Sequence, residues 1–364
     1  MSRIATFCVL AVLGCSVSAG EYRIDTLASG LEHPWAIAFL PDGRQLVTER
    51  AGRLRVITNG RLLDTPVEGV PIAVVRGQGG LMDIAIDPEF EESGWIYLTL
   101  THGEPKASTT RLVRGRLEGL RWVDEQILFT AEPVHSRPVH YGGRLAFLDD
   151  GTLLLTLGDG FDQREQAQNL GNHFGAIVRL NRDGSIPPDN PFVGRVGARD
   201  AIYSFGHRNP QGLVHDPATG TVWAHEHGPR GGDELNRIKR GKNYGWPVAT
   251  TGIDYSGARI SPFTQQPGME QPVLEWTPSI APAGMSLYRG DLFPDWNGDL
   301  LIASLVEQTI RRIDLEGTTV VSQTPLGLEL NRRLRDVRVG PDGALYVLTD
   351  AADGEILRIS PAGP

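Results

Sequence analysis

Residues 35–49 read WAIAFLPDGRQLVTE: an apolar run, an Asp-Gly turn, and a second apolar run. Asp-Gly between alternating runs is a strong hairpin signal, because a tight turn needs residues that tolerate positive φ. The pattern returns as LMDIAIDPEFEESGWIYLTL (81–100), RLAFLDDGTLLLTLGD (144–159) and GLVHDPATGTVWAHE (212–226). It occurs twice more, as LFPDWNGDLLIASL (292–305) and DVRVGPDGALYVLTD (336–350). After each hairpin comes a third strand of mixed basic and apolar residues: RLRVI (53–57), TRLVRGRL (110–117), AIVRLN (176–181), ELNRIKRG (234–241), TIRRID (309–314) and EILRIS (355–360).

Copies spaced roughly 45 to 80 residues apart match radial repetition of four-stranded sheets. The pattern predicts an all-β chain, a six-bladed β-propeller of four-stranded antiparallel sheets, filling residues 20–364 as one domain. The segment near Tyr22–Leu27 is expected to complete the last blade beside EILRIS and close the ring. A β-sandwich competes, but six copies exceed what two sheets need. The longest insertions, 160–175, 182–200 and 242–290, are expected to cover one end of the central channel.

Composition agrees. The 364 residues include 44 Gly and 25 Pro, which favours many turns over long helices. The first residues, MSRIATFCVLAVLGCSVSAG, place Arg3 before an apolar run from Ile4 to Gly14 and then small residues. That run is too short to span a bilayer and fits a secretory leader over residues 1–19, cut after Ala19. A buried N-terminal strand or helix is the competing reading, and Cys15 is a weaker candidate for lipid attachment. Periplasmic or secreted localisation follows from the leader. Both cysteines, Cys8 and Cys15, fall inside it, so a mature chain has no disulfide or thiolate chemistry. No later run is long and apolar enough to cross a membrane.

The net charge is −9, or −10 once the single positive charge of Arg3 is lost. Such a surface repels nucleic acid and anionic lipid. Lysine occurs only at 106, 239 and 242, so 32 of the 35 basic residues are arginine. An isolated arginine is therefore weak evidence of a site, and lysine Schiff-base chemistry is disfavoured.

Against that background some residues stand out. His140 lies on the loop before the strand that starts at Arg144, and Asp159 ends the return strand of the same hairpin. The two can meet at one end of the blade, where a carboxylate that fixes an imidazole tautomer makes a general base. A solvent-exposed loop histidine remains the bland alternative. Arg208, Asn209 and Gln211 offer planar donors suited to carboxylates or carbonyls. Arg333 and Arg335, two apart on a strand, project to one face and repel unless an anion lies between them. Gln78 in GQGGL opens the second repeat beside glycines that let a ligand approach the backbone. His225, Glu226 and His227 look like a metal cluster, but no third ligand follows at metal spacing.

Taken together, GQGGLMDIAIDPEF, HYGGRLAF, LGDG, GAIVRLNRDGSIPPDNPF, GHRNPQGL, HGPRGGDELNRI, KNYGWP, IAPAG and RRLRDVRVGPDG resemble the soluble pyrroloquinoline quinone (PQQ)-dependent sugar dehydrogenases, within them the aldose sugar dehydrogenase branch. The resemblance runs from about Gly30 to Ile359. It implies PQQ and Ca2+ as cofactors, with His140 taking the hydroxyl proton at the anomeric carbon while hydride passes to the quinone, giving a lactone. By the same resemblance Asp159 orients His140, Arg208 stabilises charge at the reacting carbonyl, and Gln78, Asn209, Gln211, Tyr255, Arg333 and Arg335 contact the cofactor. It further implies calcium at the carbonyls of Gly228 and Pro229, and a second calcium at Glu234 with the backbone or side chain of Tyr244. A salt bridge from Glu234 to Arg237 or Lys239 is the structural alternative.

Two departures stand out. Val306 and Glu307 follow Ser304-Leu305 where some members place a lysine at the cofactor edge. Val139 precedes His140 where glucose-specialised members have an acid, so the preferred aldose is not implied. The expected partners are an aldose and an unidentified electron acceptor, for a monomer or homodimer. A calcium-dependent, lactonase-like propeller hydrolase and a non-catalytic binding propeller are the rival classes.

Overall fold

The computed structural model describes residues 22–363. The expected leader, with Cys8 and Cys15, lies outside them. Six four-stranded antiparallel sheets form a six-bladed propeller. The first consists of Pro34–Phe39, Gln45–Glu49, Arg53–Thr58 and the two-residue Arg61–Leu62. The six innermost strands are Pro34–Phe39, Leu81–Ile86, Leu145–Phe147, Pro210–Asp216, Pro282–Leu287 and Leu334–Val339. Each touches the next, and the last touches the first. Tyr22–Leu31 pairs antiparallel with Gly354–Pro361, with Ile24 opposite Ile359, so the two ends of the chain share one blade as expected. Helix is confined to Phe90–Ser93 and three short 3-10 segments among the described residues.

The hairpin turns explain their own sequence. In Pro41-Asp42-Gly43 the glycine takes φ +87°, its N–H donates to Leu40 O, and Asp42 Oδ1 accepts from Arg44 N. Only a residue without Cβ adopts that φ without strain. Middle strands are covered on both faces by neighbouring blades, so the alternation expected of a half-exposed strand is lost. Thr152–Thr156, sequence TLLLT, is buried throughout. Between the first two blades Leu46, Leu54, Leu81, Ile84 and Leu98 pack together, each fully buried aliphatic contributing about 1.5–3 kcal/mol.

Strand direction corrects one expectation. Leu145–Phe147 leads away from the end that carries His140, Thr152–Thr156 returns, and Ala176–Asn181 leads away again. The insertion at 182–200 therefore emerges at the opposite end, where Arg182 pairs with Asp87, and does not border the channel mouth near His140. Insertion 160–175 does border it. The chain from 243 climbs beside Ile202–Phe205 to the same end, Asn243 bridging Phe205 and Trp246 N donating to Gly206 O.

On the channel axis sits an ionic cluster. Arg144, 1% exposed, reaches Asp336 (3.1 Å) and Asp83 (3.4 Å), and Arg338 pairs with the same two carboxylates at 2.9 and 2.8 Å. Arg144 Nε also donates to Gln211 O (2.8 Å) and Nη2 to Arg335 O (3.3 Å). Four charges of balanced sign thus tie three blades together beneath the channel mouth. A buried pair of this kind is costly to break from one side, by about 3–5 kcal/mol.

Candidate active site

His140 and Asp159 meet as their positions in the hairpin suggest. Nδ1 of His140 lies 2.7 Å from Asp159 Oδ1, and both side chains are buried, at 6% and 1% exposure. Asp159 Oδ1 also accepts from Phe161 N (2.8 Å) and Oδ2 from Trp246 Nε1 (2.8 Å). Three N–H donors therefore converge on one carboxylate, which fixes the His140 proton on Nδ1 and leaves the Nε2 lone pair free. Burial pushes the His140 imidazole below its ordinary value, outweighing the opposite pull of Asp159. Burial also works to raise Asp159, but His140 and Arg208 outweigh it and hold the carboxyl low. A neutral imidazole against an ionised carboxylate is the resting state of a general base. His140 itself adopts φ +59°, a left-handed conformation that costs a non-glycine residue about 1–2 kcal/mol. Its N–H is held by Gln78 Oε1 at 2.8 Å.

A cleft opens beside this pair, with about 590 Å³ of atom-free space partly open to solvent. Gln78, Asn209, Gln211, Arg333 and Arg335 all line it. So do Trp35, Arg50, Met82, Gly142, His227, Leu305 and Asp350, which sequence reasoning did not single out as ligand contacts. The anion expected between Arg333 and Arg335 is supplied by the chain itself: both donate to Asp350 Oδ2, each at 3.1 Å. Burial works to raise Asp350, but Arg335 and Arg333 prevail and bring it to about 2. Arg50 differs. Among the described residues its guanidinium has neither a hydrogen bond nor an ion pair, and burial lowers its pKa despite the nearby Asp350. Three guanidiniums against one carboxylate leave the cleft with a net charge of +2, counted as 3 − 1.

Arg208 stands on the other flank. Its Nη1 donates to His227 O (3.0 Å) and Gly228 O (2.9 Å), and its guanidinium lies 5.3 Å from the Trp246 ring and 6.0 Å from that of Tyr255. Its backbone N–H is anchored by Glu226 Oε2, whose other oxygen binds His207 Nδ1 at 2.8 Å. Tyr255 is 56% exposed, with its ring centroid 6.3 Å from that of Phe161. Val306 is 58% exposed and Glu307 turns to Arg311, while the guanidinium at that edge is that of Arg333, whose Nη1 donates to Leu305 O at 3.3 Å. His227 has one ring nitrogen engaged: its Nε2–H donates to Pro282 O (2.6 Å), and burial pushes the imidazole down to about 4. His225 is fully buried with neither ring nitrogen hydrogen-bonded.

The two calcium positions differ in fit. At Gly228 and Pro229 the Gly228 carbonyl is already taken by the Arg208 guanidinium, a cation itself, so this donor set does not suit Ca2+ as arranged. Glu234 suits it better. Burial, reinforced by the charge of Glu226, raises its carboxyl well above the ordinary range, as expected where a positive charge is wanted. Asn236 Nδ2 contacts both Glu234 (3.0 Å) and Glu226 (3.4 Å), while Asn236 Oδ1 is buried without a hydrogen-bond partner. Hard oxygens of this kind are what Ca2+ takes. The Tyr244 hydroxyl is engaged with Arg237 O and Lys239 N, so only its backbone carbonyl can serve. The alternative salt bridge from Glu234 is absent among the described residues: Lys239 pairs with Glu270 and Arg237 with Thr318. Along the axis Asp83 and Asp336 are paired with guanidiniums, which does not match the free side-chain carboxylates of a hydrolase calcium site.

A family model for glucose / sorbosone dehydrogenase matches residues 31–358. The chain is 43% identical over 345 residues to aldose sugar dehydrogenase YliI of Escherichia coli (strain K12), covering 93% of both sequences. The crystal structure of the soluble aldose sugar dehydrogenase from Escherichia coli in the apo-form superposes with a TM-score of 0.90 at 42% identity, over 93% of this chain and 99% of that one. The PQQ-bound form of aldose sugar dehydrogenase from Streptomyces coelicolor gives 0.76 at 29% identity, over 93% and 98%.

Proposed function

The chain belongs to the glucose/sorbosone dehydrogenase family, and on that premise we propose that it oxidises aldoses at the anomeric carbon to lactones, with PQQ as electron acceptor. The observation that carries this reading is the oriented, neutral His140 beside a cleft with excess guanidinium charge. PQQ is flat and carries three carboxylates. Arg333, Arg335 and Arg50, the last without a hydrogen bond or ion pair among the described residues, would meet them. Gln78, Asn209 and Gln211 would hydrogen-bond around the edge, with Tyr255 at the mouth. Bound there, PQQ supplies an ortho-quinone able to accept a hydride.

The remaining work falls to the protein. His140 Nε2 takes the proton of the anomeric hydroxyl as the hydride leaves C1, so that a C=O bond forms and the sugar leaves as a lactone. Asp159 stabilises the imidazolium and keeps it from rotating, because its second oxygen is held by Trp246. Arg208 places positive charge near the developing oxyanion, its orientation set by the His227 and Gly228 carbonyls. Ca2+ would be held by Glu234 and the Tyr244 carbonyl, bracing the loop that carries Trp246. The leader over residues 1–19 supports action after export, in the periplasm or outside the cell.

The test is reconstitution. Purified protein supplied with PQQ and Ca2+ should reduce a dye acceptor when given aldoses, and lactone should appear in equal amount. Dye reduction independent of PQQ, or none with any aldose, would overturn the proposal.

A further inference from the structure

The turn that carries the base runs His140-Tyr141-Gly142-Gly143, and three of its four residues take positive φ, at +59°, +66° and +98°. A backbone kept in that region persists only where its surroundings over-determine it. Here they do. His140 N donates to Gln78 Oε1 (2.8 Å), Tyr141 O accepts from Thr110 Oγ1 (2.6 Å), and Gly143 N donates to Thr156 O (2.8 Å). Gly142 lies so close to Thr156 that an added Cβ would stand 2.5 Å from its carbonyl oxygen, so the turn has no room to shift towards that strand.

The polar groups of Gly142 are held by two side chains, Asn209 and Gln211. Gly142 N donates to Asn209 Oδ1 (3.2 Å), while Gln211 Nε2 donates to Gly142 O (3.1 Å) and to Asn209 Oδ1 (3.4 Å). Both side chains are buried, at 1% and 8% exposure. The backbone decides which end of each amide points there. An N–H demands an acceptor, so Asn209 presents its oxygen; that oxygen and the Gly142 carbonyl demand donors, so Gln211 presents its NH2 group. Gln211 is itself anchored, because Arg144 Nε donates to its carbonyl at 2.8 Å. The opposite ends, Asn209 Nδ2 and Gln211 Oε1, make no hydrogen bond among the described residues, and both residues line the cleft. Each amide therefore has one end on the turn of the base and one end left for a ligand.

We infer that Asn209 and Gln211 are positioning residues for the base: by gripping Gly142 they hold the left-handed turn that aims His140, an inference that rests on the role given to His140 above. The cofactor contacts expected of the same two side chains fall to their other ends, so the two roles can be separated by substitution. A misplacement of about 1 Å in the reacting geometry can cost 10²-fold in rate.

The experiment compares Asn209→Asp with Asn209→Leu. Both lose the Nδ2 donor offered to the cleft. Asp keeps an oxygen for Gly142 N and Gln211 Nε2, and Leu, of similar size, does not. The readouts are kcat and KM at saturating PQQ and, in protein without PQQ, proton NMR of the His140 Nδ1–H and hydrogen exchange of the Gly142 amide. Relative to Asn209→Asp, Asn209→Leu should lower kcat by ~10²-fold with KM within about threefold. It should also speed Gly142 exchange by at least ~10-fold and broaden the His140 signal. Gln211→Met leaves only a carbonyl short of a donor, so it serves if Asn209→Leu does not fold; it should lower kcat and broaden the same signal. Equal kcat and an equal His140 signal in the two variants at 209 would overturn the positioning role, as would a difference confined to PQQ affinity. Absence of PQQ-dependent turnover in wild type would instead sink the parent reading, and the His140 signal and Gly142 exchange would still decide whether the amides hold the turn.

Discussion

Asp159→Asn keeps the shape of the side chain and changes only what its second terminal atom can do. In the native protein His140 Nδ1 and Phe161 N donate to Oδ1, and Trp246 Nε1 donates to Oδ2. An amide has one accepting oxygen. If it stays where two donors converge, its NH2 group meets the Trp246 N–H, leaving a buried donor unpaired. Losing the charge-assisted bond costs about 1.5–3 kcal/mol and the orphaned donor about 1–3 kcal/mol, so destabilisation of roughly 3–5 kcal/mol is expected. Turnover should fall by about 10²–10⁴, because the imidazolium loses its counter-charge. Asp159 also works to raise the His140 pKa, so the acid limb of kcat/KM should lie lower in the variant than in wild type. Trp246→Phe in the same background removes the orphaned donor and should recover about 1–3 kcal/mol without recovering turnover. The assays are denaturant unfolding and the pH dependence of dye reduction. A variant with kcat within threefold of wild type and an unmoved acid limb would refute the role given to Asp159.

Arg50→Met should raise the PQQ Kd at least ~10-fold with little change in the melting midpoint, since no protein group depends on that guanidinium; equilibrium fluorescence quenching reads this. Glu234→Gln should abolish stabilisation by Ca2+, which in wild type should follow RT ln(1 + [Ca2+]/Kd) and reach about 2.7 kcal/mol at a hundredfold excess over Kd; calorimetric scans with and without chelator check it. Burial pushes His173 down to about 4, so the folded state binds fewer protons than the unfolded one below pH 6.5, and stability falls as the pH is lowered from there towards 4. The loss from this group is about 3 kcal/mol, and unfolding of His173→Gln at pH 7 and 4.5 should show a correspondingly flatter dependence.

The propeller was readable because its hairpins are local: Asp-Gly turns at 42–43, 150–151 and 342–343 each close two runs of period two. The same locality brought His140 and Asp159 together, one before the inner strand and one after its return. Arg50 and Asp350 escaped because nothing in their own surroundings marks them. Their signal lies in comparing repeats: the second hairpin strands end in Glu49-Arg50, Asp159, Glu226 and Asp350, so one position of the blade supplies charge to the site again and again. The Arg144 cluster was hidden for another reason, since its partners sit 61 and 192 residues away and only ring closure brings them together. Residues 182–200 were placed at the wrong end because their length was weighed and the direction of the preceding strand was not.

The central claim is that His140 is the base of a PQQ-dependent aldose oxidation, and His140→Ala measured for both cofactor binding and turnover tests it most directly. PQQ affinity should stay within a few-fold of wild type while kcat falls by about 10²–10⁴. Full turnover in the variant would contradict it, as would a loss of activity explained entirely by a loss of PQQ binding.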